Sequence, residues 1–153
     1  MIRLLLALTL AGISSRAEEA EHLTDLPAGI AKAKAEGKHV FVMFTGSDWC
    51  IPCIKFEQNV MTHSTFKEFA TSRLVAVILD IPYRKKIEPE LKQRNEELAK
   101  KLGVNIYPTF LILDATGAEI GRRESYLGEP AAEFVKILRD LLKRGGEVSK
   151  GTQ

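Results

Sequence analysis

The stretch His39–Cys53, which reads HVFVMFTGSDWCIPC, decides the fold of this chain. Its first half is a continuous apolar run rich in β-forming residues, the pattern of a strand that is covered on both faces. Its second half contains both cysteines of the chain, separated by two residues. This stretch predicts a buried strand that leads directly into a helix, with Cys50 at the junction.

The segments around this stretch predict an α/β domain. The expected order is helix, strand, helix, helix, strand, helix, strand, strand, helix. The further strands are LVAVILD (74–80), TFLILD (109–114) and the more polar AEIGRR (118–123). Strands that alternate with helices indicate a parallel β-α-β unit, and the ATG between the last two strands indicates a hairpin. We therefore expect a central four-stranded mixed sheet flanked by helices.

The N-terminus has the pattern of a secretory signal. A short basic start precedes the apolar run Leu4–Ile13, and SSRA follows with small residues at the spacing that signal peptidase favours. The run is about half of the roughly 20 residues that a membrane-spanning helix needs. We expect residues 1–17 to be a cleaved signal peptide, the protein to be periplasmic, and no stable membrane insertion. An uncleaved anchor is the alternative.

The remaining sequence is expected to form an N-terminal segment (18–26), one domain (27–144) and a flexible tail (145–153). Removal of residues 1–17 takes away two arginines, so that the number of Lys and Arg then equals the 20 Asp and Glu. The densest basic cluster, YRKK at 83–86, is typical of a solvated loop. Because binding to nucleic acid needs a concentrated basic face, we expect no nucleic-acid partner.

The cysteine pair fits a metal site or a structural cross-link poorly. A zinc site needs about four ligands, and His22, His39 and His63 are scattered along the chain. A bridge between such close cysteines closes a very small loop, and the expected stabilisation grows with loop size. We therefore expect no metal and no other cofactor.

The surroundings of the pair favour thiol–disulfide exchange. At the start of a helix, the sulfur of Cys50 would meet unpaired N–H groups and the positive end of the helix dipole, which stabilise a thiolate. Trp49 offers a flat apolar flank for a docking substrate, and Pro52 suits the first helical turn. Cys50 is expected to be exposed and to attack, and Cys53, deeper in the helix, is expected to resolve the mixed disulfide.

The segments FTGSDWCIPC and NIYPTFLILDATGAEIG, together with the amphipathic last helix, resemble the thioredoxin-like superfamily. The similarity covers about residues 27–144 and is nearest to the exported bacterial branch with a Gly-Ser-Asp-Trp-Cys-x-x-Cys segment. A Cys-x-x-Cys pair alone is a modest signal, but the strand before it and the later YPTF make it specific. The resemblance implies a thioredoxin-like fold and a thiol–disulfide oxidoreductase.

The resemblance also implies a role for the second segment. Pro108 would be a cis-proline that faces the cysteine pair, and the Tyr107 backbone would hydrogen-bond an extended substrate segment, as in β-strand addition. The residues expected to contact the substrate are Trp49, Ile51, Pro52, Tyr107, Pro108 and Tyr126.

Departures from the family pattern bear on the chemistry. The buried Asp that is thought to relay a proton in thioredoxin corresponds to Met43, and Asp48 and Glu57 are nearby carboxylates that could replace it or simply lie at the surface. The glycine of the third substrate loop is replaced around Ser125-Tyr126, which puts a broad substrate range in doubt. The two residues between the cysteines include no histidine, which predicts a moderately stabilised thiolate and a fairly reducing pair.

The primary hypothesis is a monomeric, exported enzyme that reduces disulfides of protein substrates. A membrane electron donor would recharge it, since a compartment without a thiol pool offers no other source. A disulfide oxidase or isomerase is one alternative, although isomerases usually need a dimerisation domain. A non-catalytic thioredoxin-fold adaptor or chaperone is another. A Cu(I) metallochaperone is a third, although Met43 and Met61 fall in expected core segments.

Overall fold

The computed structural model describes residues 22–150, so the expected signal peptide at 1–17 lies outside the described residues. Within them, the chain forms the helices and strands that the sequence predicts, in the predicted order. They are α1 (Leu26–Glu36), β1 (His39–Thr45), α2 (Ile51–Phe56), α3 (Ser64–Arg73), β2 (Leu74–Asp80), α4 (Pro89–Lys101), β3 (Thr109–Leu113), β4 (Glu119–Glu124) and α5 (Ala131–Lys150). A π-helical turn, Glu57–Met61, continues α2 and accounts for the irregular apolar spacing there.

The four strands form one mixed sheet in the order β2-β1-β3-β4. β1 pairs in parallel with β2, whereas β3 is antiparallel to both β1 and β4. The predicted fold class is confirmed. The register pairs Thr45 with Asp80 and Phe44 with Thr109. The carboxyl ends of β1 and β2 and the start of β3 therefore meet at one edge of the sheet, where the cysteine loop begins.

Alternate residues of β1 enter two different cores, as expected of a strand covered on both faces. Phe41 and Met43 pack on one face in a core that includes side chains of α2, α3 and α5. Val40, Val42 and Phe44 pack on the other face with residues of α1 and α4. All five side chains are fully buried. The helix that follows β1 is therefore anchored to a rigid central strand.

At both ends of the domain, secondary structure extends beyond residues 27–144. Leu23 forms a parallel bridge with Val77, so the ordered domain includes part of the segment assigned to 18–26. At the other end, α5 continues to Lys150, past the helix end predicted at Arg144. The helix therefore includes the paired glycines at 145 and 146. Among residues 22–150, no helix combines the length and the apolar character needed to cross a membrane.

Candidate active site

Cys50 and Cys53 form a disulfide at the start of α2, with their Cα atoms 5.2 Å apart. Cys50 is the N-cap of the helix, and its Sγ accepts the Cys53 backbone N–H at 3.2 Å. Pro52 lies in the first turn, where the absence of an N–H removes no helical hydrogen bond. The sulfur of Cys50 thus lies at the positive end of the helix, as predicted.

The exposure of Cys50 differs from the expectation. Its exposed fraction is 4%, and that of Cys53 is 0%. Both cysteines belong to the core cluster against which the partly buried Trp49 and Tyr107 pack. The expectation of an exposed Cys50 is wrong for the disulfide form, although Cys50 remains the more accessible of the two. Ile51, directly after it, is 65% exposed.

Trp49 is fixed by contacts on several sides. Its indole Nε1–H donates to the Ile81 carbonyl at 2.8 Å. Its ring stacks on Tyr83 with a centroid distance of 4.8 Å and meets the edge of Tyr107 at 5.3 Å. A Cβ atom at Gly46 would lie only 2.2 Å from the indole, so glycine at this position makes room for the ring.

Two carboxylates join the cysteine loop to the loop after β2. Asp80 accepts both the N–H and the hydroxyl of Ser47, at 2.9 and 2.6 Å. In the opposite direction, Asp48 accepts the backbone N–H groups of residues 83–85, at 2.9, 2.5 and 2.6 Å. These N–H groups, led by that of Lys85, lower the pKa of Asp48 below its usual value. Each residue of Gly46-Ser47-Asp48-Trp49 therefore has a distinct structural role.

Tyr107 and Pro108 lie at the same edge of the sheet as the cysteines. The peptide bond between them is cis, and the contact between Tyr107 and Trp49 places this segment beside the residue that precedes Cys50. The Pro108 carbonyl accepts the N–H of Ser125 at 2.8 Å, and Ser125 adopts a left-handed backbone with φ of 66°. Partial burial raises the pKa of the Tyr107 hydroxyl.

The structure corrects the assignment of Tyr126 to the substrate surface. Tyr126 is only 5% exposed, its ring packs on Phe56 at 5.3 Å, and its hydroxyl donates to the Glu129 carbonyl. An aromatic side chain in this loop fills the core beneath α2 instead of facing solvent. The next residue, Leu127, is 78% exposed and presents an apolar side chain at this position.

Glu57 lies one turn after Cys53 and is half-buried. Its backbone N–H bonds to the Cys53 carbonyl. Burial, followed by the negative charge of Asp80, raises the pKa of the Glu57 carboxyl. The nearby Thr45 hydroxyl slightly opposes this rise in the pKa of Glu57, but it makes no hydrogen bond of ordinary geometry. Glu57 is therefore the carboxylate near the pair whose proton is held more tightly than usual.

Sequence reasoning did not identify Gly46, Ser47, Asp80 and Tyr83 as parts of the site. The contacts of Ser47, Asp80 and Tyr83 join segments more than thirty positions apart, such as Ser47 with Asp80, 33 residues away, whereas Gly46 makes room for the ring of Trp49, three positions later. No local pattern in a single sequence signals such a contact. Asp48 was identified, but as a candidate proton acceptor and not as a ligand of the loop at 83–85.

Comparisons with known proteins agree with this geometry. A family described as a thioredoxin-like domain matches residues 26–142. The disulfide bond reductase DsbH of Chlamydia pneumoniae is 34% identical over 111 residues, which cover 72% of this chain and 66% of DsbH. The thiol:disulfide interchange protein DsbD of Vibrio cholerae is 32% identical over 99 residues, which cover 65% of this chain but 15% of DsbD. The chain thus spans just under two thirds of the first relative and a small part of the second.

A solved structure described as DsbH oxidoreductase superimposes with a TM-score of 0.72 and 28% identity, covering 90% of this chain and 95% of that one. The cysteine pair, the matching domain and the DsbH relative together support a thiol–disulfide oxidoreductase. The match over residues 26–142 includes both cysteines and all four strands of the sheet. The chain belongs to the thioredoxin-like family.

Proposed function

We propose that this protein reduces disulfide bonds in other proteins, with Cys50 as the attacking residue and Cys53 as the resolving residue. The observation that carries the proposal is the position of Cys50 as the N-cap of α2, where its sulfur accepts the Cys53 N–H. A thiolate at that atom is stabilised by the N–H group and by the helix dipole. The complete enclosure of Cys53 supports the order of attack.

The reaction would proceed in two exchanges. In the reduced protein, the Cys50 thiolate attacks one sulfur of the substrate disulfide, forms a mixed disulfide and releases the other substrate sulfur as a thiolate, which takes up a proton. The Cys53 thiol then loses its proton, and its thiolate attacks the Cys50 sulfur. This step forms the intramolecular disulfide and releases the second substrate sulfur. Two electrons pass from the protein to the substrate, which leaves with both sulfurs reduced.

Residue types near the pair support the reducing direction. Ile51 and Pro52, between the cysteines, carry no charge that would stabilise the Cys50 thiolate further. Strong stabilisation of that thiolate makes a pair oxidising, as in DsbA at about −120 mV, whereas thioredoxin lies at about −270 mV. The name of the DsbH relative also specifies a reductase. We place this protein on the reducing side, below about −200 mV.

The proposal includes export and an electron donor. The pattern at residues 1–17 supports export, with the mature domain beginning near the family match at residue 26. Because two electrons leave the protein in each cycle, a dithiol partner must return them. We propose a membrane protein as this donor, since a compartment without a thiol pool offers no other source, and a monomer is sufficient for the chemistry.

The experiment is insulin reduction by dithiothreitol, followed by turbidity, with the wild type compared with Cys50→Ser and Cys53→Ser. The wild type should accelerate precipitation, and Cys50→Ser should fall to the uncatalysed rate. Equal rates for the wild type and Cys50→Ser would instead identify a non-catalytic adaptor. The reduction potential, measured by equilibration with glutathione, tests the direction separately. A value near −120 mV would identify an oxidase.

A further inference from the structure

The loop after β2 carries an exposed basic surface beside the cysteine pair. This surface, the basic loop, consists of Tyr83, Arg84, Lys85 and Lys86, all of them exposed. Among the ion pairs of residues 22–150, none involves these three cations. Tyr83 is 71% exposed although it is aromatic. The cations are therefore available to an external partner.

The basic loop is held in place against the residues that precede Cys50. The Tyr83 ring stacks on Trp49 at 4.8 Å with the planes 15° apart. Asp48 accepts three consecutive backbone N–H groups of the loop. These bonds fix the backbone, whereas the side chains of Arg84, Lys85 and Lys86 form no ion pair among residues 22–150. The cations are therefore carried on a backbone that is held against Asp48 and Trp49, the two residues before Cys50.

Nearby acidic residues only partly offset this charge. Both oxygens of Asp48 are occupied by the backbone of the loop. Glu88 and Glu90 follow at the start of α4, where negative charge is favoured by the helix N-terminus. The positive charge of Lys85 also opposes the rise in the pKa of Glu57, whereas Arg84 and Lys86 form no ion pair among residues 22–150. Exposed Tyr and Arg side chains together are typical of the residues that form protein interfaces.

We propose that the basic loop is a docking surface for acidic side chains that flank the target disulfide of the substrate, so that the enzyme selects protein segments rich in Asp or Glu. This inference rests on the proposed function and adds a substrate class to it. Opposite charges close to the reacting sulfur raise the rate of productive encounter and orient the segment, and they do so less at high salt. Ile51, directly after Cys50, is exposed and offers an apolar contact to the same segment.

The test compares two peptide substrates, each of which contains one disulfide bond. The acidic peptide has Glu on both sides of each cysteine, and the basic peptide has Lys at the same positions. Trp49 is the single tryptophan of the chain, so its fluorescence follows oxidation of the reduced protein in a stopped-flow experiment. Each second-order rate constant is divided by that of dithiothreitol with the same peptide, because flanking charge also changes thiol acidity. For each variant, the readout is the corrected rate constant for the acidic peptide divided by that for the basic peptide. A general loss of activity lowers both constants equally and cancels in this ratio.

The wild type should prefer the acidic peptide by about 2- to 30-fold at low salt, as expected for two exposed ion pairs. The preference should shrink towards one in 1 M salt. It should be lost in the double variant R84Q/K86Q and kept in the matched control K100Q/K101Q, which removes two exposed lysines at the far end of α4. A wild-type ratio of one, or a preference that survives in R84Q/K86Q, would overturn the inference. Failure to react with either peptide would overturn the proposed function itself.

Discussion

Gly46→Ala tests whether the fixed indole of Trp49 organises the site. A Cβ atom at position 46 would lie 2.2, 2.5 and 2.6 Å from three atoms of the indole. No real Cβ approaches another atom so closely, so the ring must move. The indole is not a flexible chain end, since it is hydrogen-bonded to the Ile81 carbonyl and lies against Tyr83 and Tyr107. The substitution must therefore break at least some of these contacts.

The cost follows from the contacts that are lost. The hydrogen bond contributes about 1 kcal/mol, and each aromatic pair contributes about 0.5–1.5 kcal/mol. Because the indole is only partly buried, we expect Gly46→Ala to lower the free energy of unfolding by about 2–3 kcal/mol. Urea denaturation of the disulfide form measures this value. The rate of insulin reduction should also fall, since Trp49 flanks Cys50.

A double-mutant cycle with Trp49→Leu provides the control. Leucine lacks the indole atoms that would clash. In the Trp49→Leu background, Gly46→Ala should therefore lower the free energy of unfolding by less than about 0.5 kcal/mol. The coupling energy between the two positions should then be about 2 kcal/mol. An equal cost of Gly46→Ala in both backgrounds would show that the indole is not the obstacle, and the account of this glycine would be refuted.

Three further changes test other parts of the site. Cys53→Ser should trap the mixed disulfide between Cys50 and a substrate, which non-reducing electrophoresis detects as a dithiothreitol-sensitive adduct. Asp48→Asn should speed hydrogen exchange of the amides at 83–85. Because the pKa of Asp48 is lowered, the wild type should keep their protection below the usual Asp value of about 3.9 and lose it only at more acidic pH. The pKa of Glu57 is raised, so its ionisation costs stability as pH rises above about 4.3, and Glu57→Gln should be more stable than wild type to urea at pH 7 but not at pH 4.

The sequence predicts the fold well because its elements are specified locally. β1 and β2 are unbroken runs of β-forming residues, and α1 carries its own signals, with Asp25 accepting the Ala28 N–H and Gly37 ending the helix at φ of 64°. The start of α2 at Cys50 is equally local, since a strand, a short loop and a proline in the first turn follow one another directly. Such signals need no knowledge of distant parts of the chain.

The surroundings of the cysteines could be predicted only in part, because they depend on contacts between loops. Whether Tyr126 faces solvent or the core is decided by the space beneath Phe56, which no neighbouring residue reveals. The burial of Cys50 depends in the same way on the assembled core cluster, against which Trp49 and Tyr107 pack from segments more than fifty residues apart. Patterns of one segment identify the reactive residues, but the shape of the surface around them comes from the assembled fold.

The two carboxylates near the cysteines have different roles, and their surroundings separate them. Asp48 binds three N–H groups, which favour its ionised form, so it is poorly suited to take a proton and well suited to hold the loop at 83–85. Glu57 is half-buried beside Asp80, and its raised pKa moves it towards the operating pH, where proton exchange is most efficient. It also lies four residues after Cys53, a spacing that places two side chains on the same face of a helix. Met43, where the resemblance implies the aspartate of thioredoxin, is fully buried in the same core cluster as both cysteines. The surroundings of the two carboxylates therefore favour Glu57, on the helix that carries the cysteines, over Asp48 as the candidate to receive the Cys53 proton.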